Sequence, residues 1–310
     1  MKKLLGLLLV GAILVAGLKL GSHVYRYEFY DWAVATEAKK AGLVEKTEQL
    51  DGLGFSYFEA GSADRPTVLM IHGFGASKEN WLRFAAPFQP DYRVIALDLA
   101  GHGRSDPGLV PGFSAVDQAR FVVRVMDRLG IDKAALVGNS MGGAISGLVG
   151  ALFPQRVTHL ILIGPAGFQS IESELDIRIA QGGNPLIVQT PEEFEQLIEF
   201  VSSQPPFIPA ALKLVQGEKA AARAPLNARI FAALQEDRKN DVGRHMASIQ
   251  APTLILWGKE DRAINVANLA TWQQHVPHVK THVFEGIGHI PMIEIPVQSA
   301  RHALDFLGGH

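Results

Sequence analysis

Short, mostly apolar runs recur along the chain, and helix-spaced stretches separate them. Residues 67–71, 92–97, 134–137, 157–163 and 253–257 are runs of this kind. Runs this short and continuous suit strands buried on both faces of a parallel sheet. Residues 55–60 read as an earlier strand and 279–284 as the last one. Between them, 80–88, 114–129, 144–153, 266–275 and 297–307 read as helices. In 114–129 the apolar positions Ala115, Ala119, Val122, Val123, Met126 and Leu129 fall at helical spacing. This alternation predicts an α/β fold with a mostly parallel central sheet flanked by helices. It stops at Gly164–Pro165. From 165 to 248 the pattern is helical and loop-like, broken by Pro205-Pro206-Phe207-Ile208-Pro209. The chain therefore predicts a core over 50–164 and 249–310, with a helical cap over 165–248 inserted after the sixth strand.

The amino end follows another pattern. Lys2 and Lys3 precede an uncharged apolar run over 4–18, which Lys19 interrupts. Its length lies between a signal-peptide core and a full transmembrane span. No clean cleavage site follows, so residues 1–21 are expected to be an uncleaved signal anchor. The leading lysines would keep the amino end cytoplasmic and export the body, to the periplasmic side in a bacterium. The alternative is a secreted chain freed by removal of a signal peptide. Residues 22–49 read as a membrane-proximal helical linker. Its Tyr25, Tyr27, Phe29, Tyr30 and Trp32 suit either a membrane-interface belt or packing on the globular body.

The 310 residues are 47% hydrophobic, enough for one large domain with an insertion. A net charge of −2 gives no electrostatic case for nucleic acid. The absence of cysteine excludes disulfides, thiolate nucleophiles and cysteine-based metal sites. No metal or other cofactor is expected.

The candidate chemistry sits where buried strands end, as sites in parallel sheets do. Gly138-Asn139-Ser140-Met141-Gly142-Gly143 reads as strand, sharp turn, helix, with a serine at the apex. Asp261 follows the strand at 253–257, and His289 follows the one at 279–284. His72-Gly73-Phe74-Gly75 follows the strand at 67–71. A serine hydroxyl is a weak nucleophile until a base takes its proton, and a neutral imidazole does this near pH 7. A carboxylate fixes the imidazole's tautomer and stabilises its cation. These roles fall to Ser140, His289 and Asp261, with Glu260 competing for the last. The N–H groups of Phe74 and Met141 are the natural oxyanion donors. Asp98 and His102 form a second acid–histidine pair, read as loop structure, as is His72.

With those stretches in hand, the chain resembles the α/β-hydrolases. The H-G-F-G loop, the Gly-Asn-Ser-Met-Gly-Gly elbow, Trp257-Gly258-Lys259-Glu260-Asp261 and the segment from Gly288 to Glu294 are similar to those of bacterial lipases and esterases. The amino-terminal run is similar to that of membrane-anchored monoacylglycerol lipases. The resemblance implies a serine carboxylic ester hydrolase acting through an acyl-enzyme. Ser140, Asp261 and His289 would be its triad, and Phe74 and Met141 its oxyanion donors. It also implies a small lipid-like or medium-chain ester as substrate. Phe194, Leu197, Phe207 and Ile208 would then line the acyl site. Haloalkane dehalogenases and epoxide hydrolases carry an aspartate at the elbow, which Ser140 excludes. Carbon–carbon hydrolases of ring-fission products share the elbow and stand as the alternative, although Ile290 replaces the tryptophan common after their histidine. A non-catalytic scaffold on the same fold is a further alternative.

Overall fold

The computed structural model describes residues 24–308, apart from 90, 169, 240 and 241. The expected anchor over 1–21 lies outside the described residues. Among the described residues, no helix is long and apolar enough to cross a membrane.

Eight strands form one sheet in the order β1-β2-β4-β3-β5-β6-β7-β8. They are β1 (Val44–Leu50), β2 (Leu53–Ala60), β3 (Thr67–Ile71), β4 (Arg93–Leu97), β5 (Ala134–Asn139), β6 (Val157–Ile163), β7 (Thr253–Gly258) and β8 (Lys280–Phe284). The pairings among β3 to β8 are parallel, while β1 and β2 form an antiparallel hairpin whose second strand also pairs antiparallel with β4. The apolar runs end up inside because helices cover both faces of the sheet. Alternate residues of one strand feed two cores. Leu69, Ile71, Leu136 and Leu162 join a cluster with Phe121, Val122, Ile145 and Leu148. Val68, Met70, Val137 and Ile163 join another with Trp81, Phe84, Ala300 and Ala303.

The amino-terminal segment differs from expectation. It is a helix, α1 (Arg26–Lys40), followed by β1, rather than helical throughout. The sheet thus begins at Val44. The aromatic residues of this segment divide between packing on the insertion and exposure. The Tyr30 ring faces inward, with the Lys219 ammonium 3.9 Å from its centroid. Arg26 and Tyr27 both hydrogen-bond to Glu218. Tyr25, Phe29 and Trp32 stay exposed, the last two stacked at 5.7 Å.

Between β6 and β7 the chain holds no strand among the described residues. It carries the helices Glu174–Ala180, Glu193–Val201, Ala210–Ala222 and Ala224–Lys239. This insertion reaches the loops at the carboxyl ends of the strands. Phe231 packs its ring 5.4 Å from that of Phe74, beyond β3. Arg223 donates to the main-chain oxygens of Gly101 and Gly103, beyond β4.

Candidate active site

β5 runs into the helix Met141–Leu152 through Ser140 alone. The serine adopts φ 56° and ψ −119°, a region that non-glycine residues avoid at a cost of about 1–3 kcal/mol. Surrounding backbone holds it there. Its N–H donates to Ile163 at 3.0 Å, and its carbonyl accepts from Gly143 at 2.9 Å and Ala166 at 3.0 Å. The flanking glycines are required sterically. A Cβ on Gly138 would lie 2.2 Å from the Gly142 oxygen, and one on Gly142 would lie 2.2 Å from the Ile71 oxygen. The strand, the helix and the end of β3 close on one another with no space for a methyl group.

The acid and the base meet beyond β7 and β8. His289 Nδ1 and Asp261 Oδ2 are 2.7 Å apart in a buried pair. A proton on Nδ1 donated to the carboxylate leaves Nε2 as the imidazole's acceptor. The second carboxylate oxygen accepts from the N–H groups of Ala263 at 2.8 Å and Ile264 at 2.9 Å. Asp261 therefore caps the following turn and orients His289 together. The Trp257 indole N–H adds a bond to Oδ2 at 2.9 Å, a partner the sequence pattern did not single out. Glu260, the competing carboxylate, accepts from the Gly286 N–H instead.

The end of β6 links this pair to the elbow. Ile163 accepts the Ser140 N–H, and the next residue, Gly164, lies beneath the pair. A Cβ on Gly164 would be 3.2 Å from both Asp261 Oδ2 and His289 Nδ1. Asn139 closes the link through its side-chain amide, which donates to the oxygens of Ile163 and His289.

The loop 72–75 passes beside the serine, since a Cβ on Gly73 would lie 3.2 Å from the Ser140 Cβ. Phe74 belongs to this loop, and Met141 is the first residue of the elbow helix. His72 braces the loop. Its Nδ1 bonds to the Gly73 oxygen at 2.8 Å, and its Nε2 accepts from the Leu99 N–H at 3.1 Å. Both nitrogens are occupied, consistent with a structural part.

Asp98 does not pair with His102. Its carboxylate takes a 2.7 Å ion pair from Lys78, with both side chains fully buried, and accepts from the N–H groups of Lys78 and Arg104. The His102 ring lies 5.0 Å from that of His72, its Nδ1 on the Ala100 oxygen.

Of the four residues expected to line an acyl site, Leu197 packs against the core cluster that contains Phe200 and Val201. Phe194 and Ile208 are half-buried. Phe207 projects outward, 89% exposed. Among the described residues there is no cluster of His, Asp or Glu that could hold a metal ion.

A family model for the alpha/beta hydrolase fold matches residues 66–189. Lipase 3 of Moraxella sp. (strain TA144) is 30% identical over 88% of this chain and 87% of its own length. Monoacylglycerol lipase ABHD6 of Rattus norvegicus is 29% identical over 81% of this chain and 77% of its own. Among solved structures, a membrane phospholipase A, a bacterial virulence factor, superposes with a TM-score of 0.88 at 37% identity. It covers 100% of this chain and 99% of that one. A 30% identity that runs over most of this chain and of its relative has one meaning for lineage: the chain belongs to the α/β-hydrolase family.

Proposed function

We propose that this serine carboxylic ester hydrolase acts on lipid-like esters through Ser140, His289 and Asp261. The observation that carries the reading is the buried 2.7 Å bond from His289 to Asp261, linked through Gly164 and Asn139 to a strained Ser140. His289 takes the serine proton as Oγ attacks the ester carbonyl. The N–H groups of Met141 and Phe74 receive the oxyanion, each worth about 3–4 kcal/mol of barrier. His289 then protonates the leaving alcohol. In deacylation it takes a proton from water, which attacks the acyl-enzyme and frees the acid.

The lipid character of the substrate rests on the similar lipases and on apolar surface beside the fold. Phe207 stands exposed on the insertion, as do Trp32 on α1 and Tyr25 at its amino end. Side chains of this kind suit contact with an aggregated lipid surface. The run over 4–18 would anchor the chain there, with the catalytic body exported.

The test is ester turnover by detergent-solubilised full-length protein across a chain-length series of p-nitrophenyl esters and monoacylglycerols, beside a vinylogous diketo acid. Ser140→Ala should abolish ester turnover and labelling by a fluorophosphonate while the melting curve is retained. Parental turnover in that variant, or faster cleavage of the diketo acid than of any ester, overturns the reading. For the anchor, cell fractionation should recover full-length protein with the membrane. Recovery of only soluble, shortened protein refutes it.

A further inference from the structure

The loop that carries His289 is bound to the end of an insertion helix, and one carboxylate holds both sides of that connection. Glu294 lies in the short helical turn Pro291–Glu294 just after the histidine. Its Oε1 accepts from the Gly288 N–H at 2.9 Å. Its Oε2 accepts from the N–H groups of Ser203 at 2.8 Å and Gln204 at 2.7 Å. Ser203 and Gln204 lie just beyond the insertion helix Glu193–Val201. One charge thus joins the residue before the candidate base to two successive amides of the insertion. Hydrogen bonds to an ionised acceptor are about twice as strong as neutral ones.

Other contacts act on the same junction. The His289 N–H donates to the Val201 oxygen at 2.8 Å. The Gln204 side chain donates to the Gly286 oxygen at 3.1 Å. A Cβ on Gly288 would come within 2.9 Å of Ser202 Cα, Ser203 N and the Val201 oxygen. Arg262, next to Asp261, donates to the Glu199 oxygen and sets its guanidinium 5.5 Å from the Phe200 ring centroid. The exit of this helix therefore meets both the acid loop and the base loop.

We propose that Glu294 is a positioning residue for the reaction: it latches segment 203–204 of the insertion to Gly288, so that seating of the insertion and placement of the His289 ring are a single event. The proposal rests on His289 being the base. Glu294 does not touch the substrate. If segment 203–204 lifts, the carboxylate loses two of its three partners, and the base loop loses the framework that holds its register against Ser140.

The test compares parent with Glu294→Gln, which keeps the shape but leaves one acceptor oxygen for amides on two sides. Turnover of p-nitrophenyl butyrate is measured per active site titrated with a fluorophosphonate, together with the labelling rate. The expected result is a fall of tenfold or more in both kcat and labelling rate, with KM within twofold of parent. A variant that melts earlier but keeps parental kcat and labelling rate overturns the latch, leaving Glu294 a purely structural part. Hydrogen exchange on the parent is a second measurement that does not depend on the variant folding. The amides of Gly288, His289, Ser203 and Gln204 should open as one unit. Ser203 and Gln204 exchanging far faster than Gly288 and His289 also overturns it. Ser140→Ala separates the two readings. If that variant still turns over ester, the triad reading falls and the latch with it. If it is dead while Glu294→Gln matches parent, only the latch falls.

Discussion

The side-chain amide of Asn139 donates to the main-chain oxygen of His289 at 3.2 Å, a bond between residues 150 positions apart. The residue before the candidate nucleophile thereby holds the backbone of the candidate base. The same amide holds Ile163 at 3.0 Å, and Ile163 in turn accepts the Ser140 N–H. The Ser140 N–H and the Asn139 amide thus share one acceptor, the Ile163 oxygen, and the same amide holds the backbone of the base.

Replacing Asn139 with alanine leaves two buried carbonyl oxygens short of a partner. Each such loss costs about 1–3 kcal/mol. The expected outcome is a lower melting temperature together with a fall in kcat of tenfold or more, since the base loop is no longer tied to the elbow. Steady-state kinetics normalised to titrated sites is the check. A parental kcat in a destabilised variant would show that the bond serves the fold alone.

Gly142→Ala tests the packing beneath the oxyanion loop. Its new Cβ would meet the main-chain oxygens of Ile71 at 2.2 Å and His72 at 2.5 Å, and backbone cannot rotate out of the way. The loop 72–75 must move, and the Phe74 N–H moves with it. Overpacking of this kind costs about 1–3 kcal/mol in stability. Displacing an oxyanion donor costs on the order of 10²–10³-fold in kcat. Thermal melting and p-nitrophenyl butyrate turnover measure the two effects. Turnover at the parental rate would remove Phe74 from the proposed mechanism.

The parts of this arrangement legible in the sequence are the local ones. Apolar runs marked the strands from β2 onward, and the glycine spacing marked the elbow, because both depend on neighbours along the chain. β1 escaped because it is an edge strand whose side chains face water. Val44-Glu45-Lys46-Thr47-Glu48 offers no apolar run, and charge on an edge is how sheets avoid pairing with strangers. Asp51–Gly52, both at positive φ, was the available signal of a hairpin there. The Trp257 indole, the Asn139 amide and the Glu294 carboxylate were hidden for a different reason. Each acts on a residue brought near by the fold, and spacing along the chain says nothing of that. Lys78 belongs with them, since a lysine reads as surface until a buried partner is known.

Lys78→Met should be strongly destabilising. The ammonium pairs with Asp98 at 2.7 Å inside the protein, with Glu45 at 3.1 Å and Glu79 at 3.5 Å on its other sides. Its removal strands the Asp98 carboxylate with only the N–H groups of Lys78 and Arg104. Breaking one side of a buried pair costs about 3–5 kcal/mol. Adding Asp98→Asn should recover part of that loss, because the uncompensated charge is gone. Urea denaturation of single and double variants gives both numbers. A single-variant loss below about 1 kcal/mol, the scale of an exposed pair, would contradict the reading of Lys78 as the counterion of Asp98.

Stability should fall as pH drops below about 6.5, the ordinary histidine value, through His72 and His102. Both rings are fully buried, and burial pushes both below that value, His102 well below it. Asp98 partly offsets the effect at His72, whereas a charge on His72 would add to it at His102. The hydrogen bonds require the same protonation state. His72 Nε2 accepts from the Leu99 N–H, so a proton there would set donor against donor. The sign follows from proton uptake: the unfolded chain takes protons near pH 6.5, and the folded chain does so only at lower pH. Stability is therefore full above about pH 6.5 and declines below it, by up to about 1.4 kcal/mol per pH unit for each ring. Urea titrations at pH 7.5, 6.5 and 5.5 measure the slope. His102→Gln should flatten it by removing the contribution of the most strongly shifted of the buried histidines. An unchanged slope in that variant would assign the acid sensitivity to other groups.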